Sequence, residues 1–146
     1  MGITEEICMK NENMITDSSF IFIDDNPVDI LIHKIVLERK FKNPSIIHFK
    51  NAKEGLKHIN ETHTTETNNK TVLLLDLDMP LMNGYEFLAH FDALDKKITD
   101  QIKIVVVSVS KDEEEIKMLN ANPYVYKFIA KPLSEESISA MMNSIN

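Results

Sequence analysis

The chain alternates short runs of consecutive apolar residues with longer segments in which apolar residues recur every three or four positions. A short uninterrupted run is typical of a strand buried on both faces of a sheet. Spacing of three and four positions predicts an amphipathic helix. Strands are therefore predicted at 20–23 (FIFI), 45–49 (SIIHF), 71–75 (TVLLL), 103–107 (KIVVV) and 124–130 (YVYKFIA).

A helix is predicted after each of these strands. The first has Pro27 at its opening position, which suits proline, and five apolar residues predict its buried face: Val28, Leu31, Ile32, Ile35 and Val36. Ser110, with Glu113 three residues later, matches a capping box and predicts the start of the fourth helix. The remaining helices are predicted at 52–60, after Gly84 and after Ser134.

Alternating strands and helices of this kind predict βαβ units and a parallel sheet covered on both faces. Right-handed crossovers leave few topologies, of which the flavodoxin-like (βα)5 doubly wound α/β sheet, strand order 2-1-3-4-5, is the commonest for five strands. Its ligand crevice lies at the carboxyl ends of strands 1 and 3. Residues 1–18 lack any period and are predicted to be a flexible leader, whereas 19–146 are expected to form one domain, without an output domain.

Composition narrows the class of protein. The 146 residues carry a formal net charge of -7, without a Lys/Arg-rich block, which disfavours nucleic acid or an anionic membrane as partner. Cys8 is the single cysteine, so no internal disulfide forms. Because no apolar run approaches the roughly 18 residues of a membrane span and the start lacks a signal-peptide pattern, a soluble cytoplasmic protein is expected.

Polar residues stand where the predicted strands end. Asp24 and Asp25 follow the first strand, Asp76 the third, Ser108 the fourth and Lys131 the fifth. The predicted strand order brings these ends to one rim, where several carboxylates repel one another unless a cation is present. Mg²⁺ is the expected cofactor, because it binds through one or two carboxylates and completes its shell with water and phosphate oxygens.

A carboxylate beside Mg²⁺ and a lysine is arranged for attack on phosphorus, which forms an acyl phosphate. Asp76 is favoured as this nucleophile over Asp78, because it is the first residue after the buried strand. Lys131 can pair with a carboxylate at rest and with a phosphoryl oxygen later, and Ser108 offers a hydroxyl donor to that oxygen.

Four segments together resemble the receiver domain of two-component response regulators, over about residues 19–146: IDDN (23–26), LLLDLDMPLMNG (73–84), VVVSVS (105–110) and AKPL (130–133). The resemblance implies that Asp76 is the phospho-acceptor and that Lys131 precedes a proline in a typically cis bond. It also implies that Ser108 is the switch hydroxyl and Phe128 the switch aromatic. The metal ligands that it implies are Asp24, Asp25, Asp76 and the backbone carbonyl of Asp78.

The function implied by this resemblance is that of a stand-alone phospho-acceptor switch, not a turnover enzyme. A sensor histidine kinase or a histidine phosphotransfer protein would supply the phosphoryl group. A downstream protein target would then bind a surface around the fourth helix, the fifth strand and the last helix. The switch is expected to be a monomer or a weak dimer.

Three features depart from the family's usual pattern. Val109 stands where Ala or Gly is usual, which narrows access to the acceptor. Asp78 adds a carboxylate that would either repel the phosphoryl group or orient a hydrolytic water. The segment NANPYVY (120–126) replaces a Gly-containing turn.

Two other classes of protein share some of these features. LLLDLDMP is similar to the DxD signature of haloacid dehalogenase-like phosphatases, which would make Asp76 a nucleophile in turnover. Those enzymes place DxD on their first strand, whereas here an acid pair comes earlier in the chain. A flavin or nucleotide binder of the same topology is disfavoured, because two aspartates replace the phosphate-binding loop after strand 1.

Overall fold

The computed structural model describes residues 18–63, 70–109 and 112–145, and its five described strands form a single parallel sheet. The strand order is β2-β1-β3-β4-β5, which confirms the predicted topology. The strands are β1 (Ser18–Ile23), β2 (Ser45–Phe49), β3 (Lys70–Leu75), β4 (Ile102–Ser108) and β5 (Val125–Ala130). Ser18, the last residue of the predicted leader, is the first residue of β1, and the rest of that leader lies outside the described residues.

Helices connect the strands and cover both faces of the sheet. They are α1 (Pro27–Lys40), α2 (Ala52–Thr62), α3 (Gly84–Asp92), α4 (Lys96–Thr99), α5 (Glu113–Ala121) and α6 (Glu135–Ile145). The four-residue α4 was not predicted. The predicted N-cap Ser110 lies outside the described residues, and the N-cap of α5 is Asp112, whose side chain accepts a hydrogen bond from the amide of Glu114.

A capping box is present at α3 instead. The Asn83 side chain accepts from the amide of Glu86 at 2.9 Å, and the Glu86 carboxylate accepts from the amide of Asn83 at 3.2 Å. These two bonds satisfy amide groups that an α-helix leaves without internal partners at its start. The start of α3, directly after the loop that follows β3, is thereby defined.

Strand register brings the carboxyl ends of the strands into line. Ile23 at the end of β1 pairs with Leu75 at the end of β3, and Ser108 at the end of β4 pairs with Ala130 at the end of β5. The residue that follows each of these ends therefore emerges at one rim. This register is what collects residues from distant parts of the chain.

The core has two layers because successive strand residues point to opposite faces of the sheet. One layer packs Phe20, Phe22 and Leu74 against α1 and α6, and the other packs Ile21, Ile23 and Leu75 against α2 and α3. Both faces of the central strands are buried. The continuous apolar runs in the sequence follow directly from this arrangement.

The predicted buried face of α1 is wrong. Three of its five residues are exposed, with relative exposures of 61% for Val28, 57% for Leu31 and 42% for Ile35. The other two, Ile32 and Val36, are partly buried at the flank. The residues that face the sheet are Ile30, His33 and Leu37.

The cause is a histidine inside the core. The His33 ring packs edge-on against Phe22, with 5.5 Å between the ring centroids. A polar residue therefore occupies the middle of the inward face of α1, and apolar residues occupy much of the outward face. A pattern based on apolar residues alone selects the side with more of them, which here is the solvent side.

Candidate functional site

The candidate site lies in the crevice at the carboxyl ends of β1 and β3. Asp24 and Asp76 each follow a strand directly and are buried. The amide of Asp24 donates to the carbonyl of Phe49 at 3.1 Å, and the amide of Asp76 donates to the carbonyl of Ile23 at 2.9 Å. These bonds extend the strand pairing by one residue, so the backbone at both acids is fixed by the sheet.

Lys131 enters the same crevice from β5. Its amide donates to the carbonyl of Ser108 at 2.9 Å, and its peptide bond with Pro132 is cis, as the sequence resemblance implied. The ammonium donates to Asp24 Oδ2 at 3.0 Å and lies 3.5 Å from Asp76 Oδ1. The predicted meeting of acids from the start and middle of the chain with an amine from near its end is therefore observed.

Two pKa values describe the electrostatics of the crevice. Burial, with a further contribution from the charge of Asp24, raises the pKa of Asp76 from 3.8 to about 6, although Lys131 opposes the rise. For Lys131, burial pulls the pKa down, but hydrogen bonds to Asp29 and Asp24 outweigh burial and raise the pKa above its ordinary value. Lys131 therefore stays charged at neutral pH, whereas Asp76 carries a charge that the crevice disfavours.

A divalent cation fits this set of side chains. Asp24, Asp25 and Asp76 each offer a carboxylate oxygen, and the three oxygens lie within 4.8 Å of one another. Oxygen donors of this kind suit hard cations such as Mg²⁺. Asp24 Oδ1 accepts from the amide of Asn26 at 2.9 Å, which fixes the orientation of this carboxylate.

The other predicted residues lie at or near this rim. Ser108 is fully buried at the end of β4, one strand away from Asp76. Asp78 is exposed, and its amide approaches Asp76 Oδ1 at 3.4 Å. Phe128 is half-buried within β5, beside Val106, so it lies below the rim and not in the crevice.

The loop after Asp76 is shaped by a close approach at Gly84. The amide of Gly84 donates to the carbonyl of Leu77 at 3.0 Å, and a side chain at Gly84 would place its Cβ 2.8 Å from the Leu77 Cα and 3.0 Å from the Asp76 carbonyl oxygen. Glycine lets the start of α3 lie this near to the backbone of Leu77 and Asp76. Further along the loop, Leu81 adopts a φ of 69° and is almost fully exposed.

Two residues near the site were not identified from the sequence. Asp29 on the first turn of α1 accepts from the Lys131 ammonium at 2.7 Å. His33 is buried below, its Nδ1 lacks a hydrogen-bond partner among the described residues, and burial is the main cause that lowers its pKa. An acid in the first turn of a helix is ordinary in any sequence, so no pattern distinguished Asp29.

Comparison with known proteins identifies the family. Residues 20–143 match the model of the response regulator receiver domain, so the chain belongs to that family. The DxD signature shared with the phosphatases follows β3 and not the first strand. Within the described ranges, no helix is long and apolar enough to cross a membrane.

Individual relatives agree with this assignment. A two-component response regulator from Cytophaga hutchinsonii has a TM-score of 0.77 at 18% identity, covering 88% of this chain and 96% of that one. A response regulator receiver protein from Dyadobacter fermentans has a TM-score of 0.73 at 26% identity, covering 88% and 98%. The peroxide stress-activated histidine kinase mak1 of Schizosaccharomyces pombe is 24% identical over 128 residues, which are 87% of this chain but 7% of that protein.

Proposed function

We propose that this receiver domain accepts a phosphoryl group on Asp76 in the presence of Mg²⁺ and thereby switches a protein-binding surface. One observation carries the proposal. The Asp76 carboxylate lies within 4.8 Å of two other carboxylates and 3.5 Å from the ammonium of Lys131. A carboxylate that shares a candidate metal site with two other acids and lies close to a lysine ammonium is arranged for phosphoryl transfer.

The proposed reaction joins a carboxylate oxygen of Asp76 to phosphorus. The P–O bond forms as the P–N bond of a phosphohistidine breaks, and the imidazole leaves with the electron pair of that bond. Mg²⁺ held by Asp24, Asp25, Asp76 and the carbonyl of Asp78 would neutralise phosphoryl oxygens. Lys131 contributes a second positive charge, and the pKa of Asp76 near 6 leaves the nucleophile ionised above that pH.

The switch would follow from a contact that exists only after phosphorylation. Ser108, buried at the next strand end, donates its hydroxyl to a phosphoryl oxygen in this proposal. Phe128, half-buried two residues before the end of β5, then packs inward. Because the phosphoryl group bonds Ser108 in one state only, it shifts the population toward that state, and a downstream protein target binds the altered surface around α5, β5 and α6.

A protein phosphodonor must dock beside the crevice. Val28, Leu31 and Ile35 form an exposed apolar stripe on α1, a helix that begins three residues after Asp24. Exposed apolar residues grouped on one helix face are typical of interaction surfaces. We therefore propose that a sensor histidine kinase or a histidine phosphotransfer protein contacts this stripe. We also propose that the receiver is a monomer or a weak dimer.

Intact-mass measurement tests the phospho-acceptor. After incubation with acetyl phosphate and Mg²⁺, we expect one added phosphoryl group, lost in Asp76→Asn and on chelation of the metal. Asp78→Asn is the matched control, because it removes a neighbouring exposed carboxylate but keeps the backbone carbonyl. An unmodified wild-type protein, or a modification that survives in Asp76→Asn, would contradict the proposal. Steady multiple turnover of a phosphatase substrate would instead favour the phosphatase alternative.

Docking on α1 has its own test. Leu31→Glu should slow phosphoryl transfer from a phosphorylated histidine phosphotransfer domain but leave uptake from acetyl phosphate unchanged, because the small donor needs no docking surface. Met118→Glu on α5 changes an equally exposed apolar residue and serves as control. Equal rates for the two variants would remove α1 as the docking surface.

A further inference from the structure

The shortest ion pair of Lys131 is made with a residue outside the predicted site. Its ammonium lies 2.7 Å from Asp29 Oδ2, 3.0 Å from Asp24 Oδ2 and 3.5 Å from Asp76 Oδ1. An ammonium has three N–H donors, so it can serve three acceptors at once. Two donors are engaged at short distance by Asp29 and Asp24, and the distance to Asp76 is the longest of the three.

We propose that Asp29 is a positioning residue that holds the Lys131 ammonium off Asp76 and so keeps the carboxylate cluster open to a divalent cation. The inference rests on the proposed function, because it concerns the metal in the same crevice. Asp29 does not itself belong to the carboxylate cluster, which consists of Asp24, Asp25 and Asp76. It acts through Lys131.

Two physical effects should both weaken Mg²⁺ binding when the charge of Asp29 is removed. Without the charge of Asp29, the ammonium is held less strongly on that side and moves toward Asp76, where it competes with the metal for the same oxygens. The crevice also loses one negative charge that attracts a divalent cation. Removing the charge of Asp29 should therefore weaken Mg²⁺ binding.

The position of Asp29 makes it a clean site for substitution. Its side chain is about one-quarter exposed, at 26%, so replacing it leaves no cavity in the core. The Asn26 side chain caps α1 by accepting from the backbone amides of Val28 and Asp29, and the side chain of Asp29 takes no part in these bonds. Asp29→Asn keeps the shape of the side chain, removes its charge and replaces one acceptor oxygen with an amide NH2 group.

The test is an NMR titration of backbone amides near Asp76 with MgCl2 at constant ionic strength. We expect Asp29→Asn to raise the dissociation constant for Mg²⁺ about fivefold. Glu38→Gln, which removes an equal charge from an exposed position near the far end of α1, should change that constant by less than about twofold, because salt screens the longer distance. An unchanged constant in Asp29→Asn would overturn the inference.

A double-mutant comparison separates the lysine-mediated effect from simple charge. In a Lys131→Met background, Asp29→Asn should raise the dissociation constant for Mg²⁺ by clearly less than fivefold, because only the direct loss of one negative charge remains and no ammonium is left to be held. A full fivefold change in that background would overturn the positioning role. The ¹⁵N ammonium resonance of Lys131 supplies a readout that needs no lysine variant: it should shift in Asp29→Asn and not in Glu38→Gln, and a constant resonance would equally overturn the inference.

The outcomes also distinguish this inference from the proposed function. A wild-type protein that binds no Mg²⁺ contradicts the proposed function and this inference together. Mg²⁺ binding and phosphorylation of Asp76, with no effect of Asp29→Asn on the metal, contradict this inference alone.

Discussion

Polar side chains are buried both where the strands begin and where they end, but they form a neutral network at the first edge of the sheet and a charged one at the second. At the edge where the strands begin, Thr71 Oγ1 lies 3.0 Å from Ser19 Oγ and 3.0 Å from His63 Nε2. Gln101 donates to the carbonyl of His63 at 3.0 Å and to that of Lys97 at 2.9 Å. Burial lowers the pKa of His63, so this network is neutral at physiological pH.

At the edge where the strands end, charged groups replace neutral ones. Asp24, Asp29 and Asp76 surround one ammonium, and the pKa of Asp76 is raised to about 6, chiefly by burial. A satisfied neutral network stabilises a fold, whereas a group whose charge is disfavoured lowers stability and is available for chemistry. Removing the disfavoured charge of Asp76 and removing a hydroxyl from the neutral network should therefore change the unfolding free energy in opposite directions.

The largest effect is expected for Lys131→Met. It leaves the buried carboxylates of Asp24 and Asp76 without their cation, which should lower the unfolding free energy by about 3 kcal/mol at pH 8 without metal. Lys96→Met is the control, because its ion pair with Asp100 is exposed and should contribute less than about 0.5 kcal/mol. Urea unfolding of both variants checks this difference, and similar losses would mean that burial does not distinguish the two ion pairs.

Asp76→Asn should act in the opposite direction and stabilise the protein. Because the folded-state pKa lies above the unfolded value of 3.8, the folded protein binds the proton more tightly, and stability falls as pH rises from 3.8 to about 6. Removing the charge should raise the unfolding free energy by about 2 kcal/mol at pH 8 and have little effect at pH 3.5. Denaturation at several pH values measures this, and a gain that is independent of pH would refute the assigned cause.

Thr71→Val tests the neutral edge. It removes the hydroxyl shared by Ser19 and His63, leaving both without that partner, so we expect a loss of about 1.5 kcal/mol. The measurement is the urea midpoint at pH 8, where Asp76→Asn should move the midpoint the other way. If Thr71→Val instead stabilised the protein, the hydroxyl network would lower the unfolding free energy, as the charge of Asp76 does.

The smallest effect concerns the metal. At ten times its dissociation constant, Mg²⁺ should raise the unfolding free energy of the wild type by about 1.4 kcal/mol, because it binds only the folded state. Thr71→Val should gain the same amount, since the change lies at the other edge, whereas Asp24→Asn should gain less. Thermal unfolding with and without Mg²⁺ checks this; an equal gain for Asp24→Asn would exclude that acid as a ligand.

Most of the fold could be predicted from the sequence because strands buried on both faces leave an unmistakable apolar run. The face of α1 could not, since His33 lies inside and Val28, Leu31 and Ile35 lie outside. Which side of a helix packs inward depends on the neighbouring elements as well as on its own apolar residues. The discrepancy is informative, because it identifies the stripe that we propose for docking.

The site was predictable to the extent that it follows the strand ends. Asp24, Asp76 and Lys131 meet because parallel strands end at the same rim. The contact between Asp29 and Lys131 joins residues 102 positions apart and depends on the direction of a long side chain. No local spacing encodes that direction, so only coordinates reveal the contact.

Under the proposed function, the charge balance of the crevice makes phosphorylation depend on an intact domain. Asp24 and Asp76 follow the first and third strands. The ammonium that balances them belongs to Lys131, which follows the last strand and whose backbone amide donates to the carbonyl of Ser108. A molecule cleaved or locally unfolded at β5 would leave the carboxylates of Asp24 and Asp76 without this ammonium, and their negative charge would repel an anionic phosphodonor. A damaged molecule would therefore stay unphosphorylated and would not produce a signal.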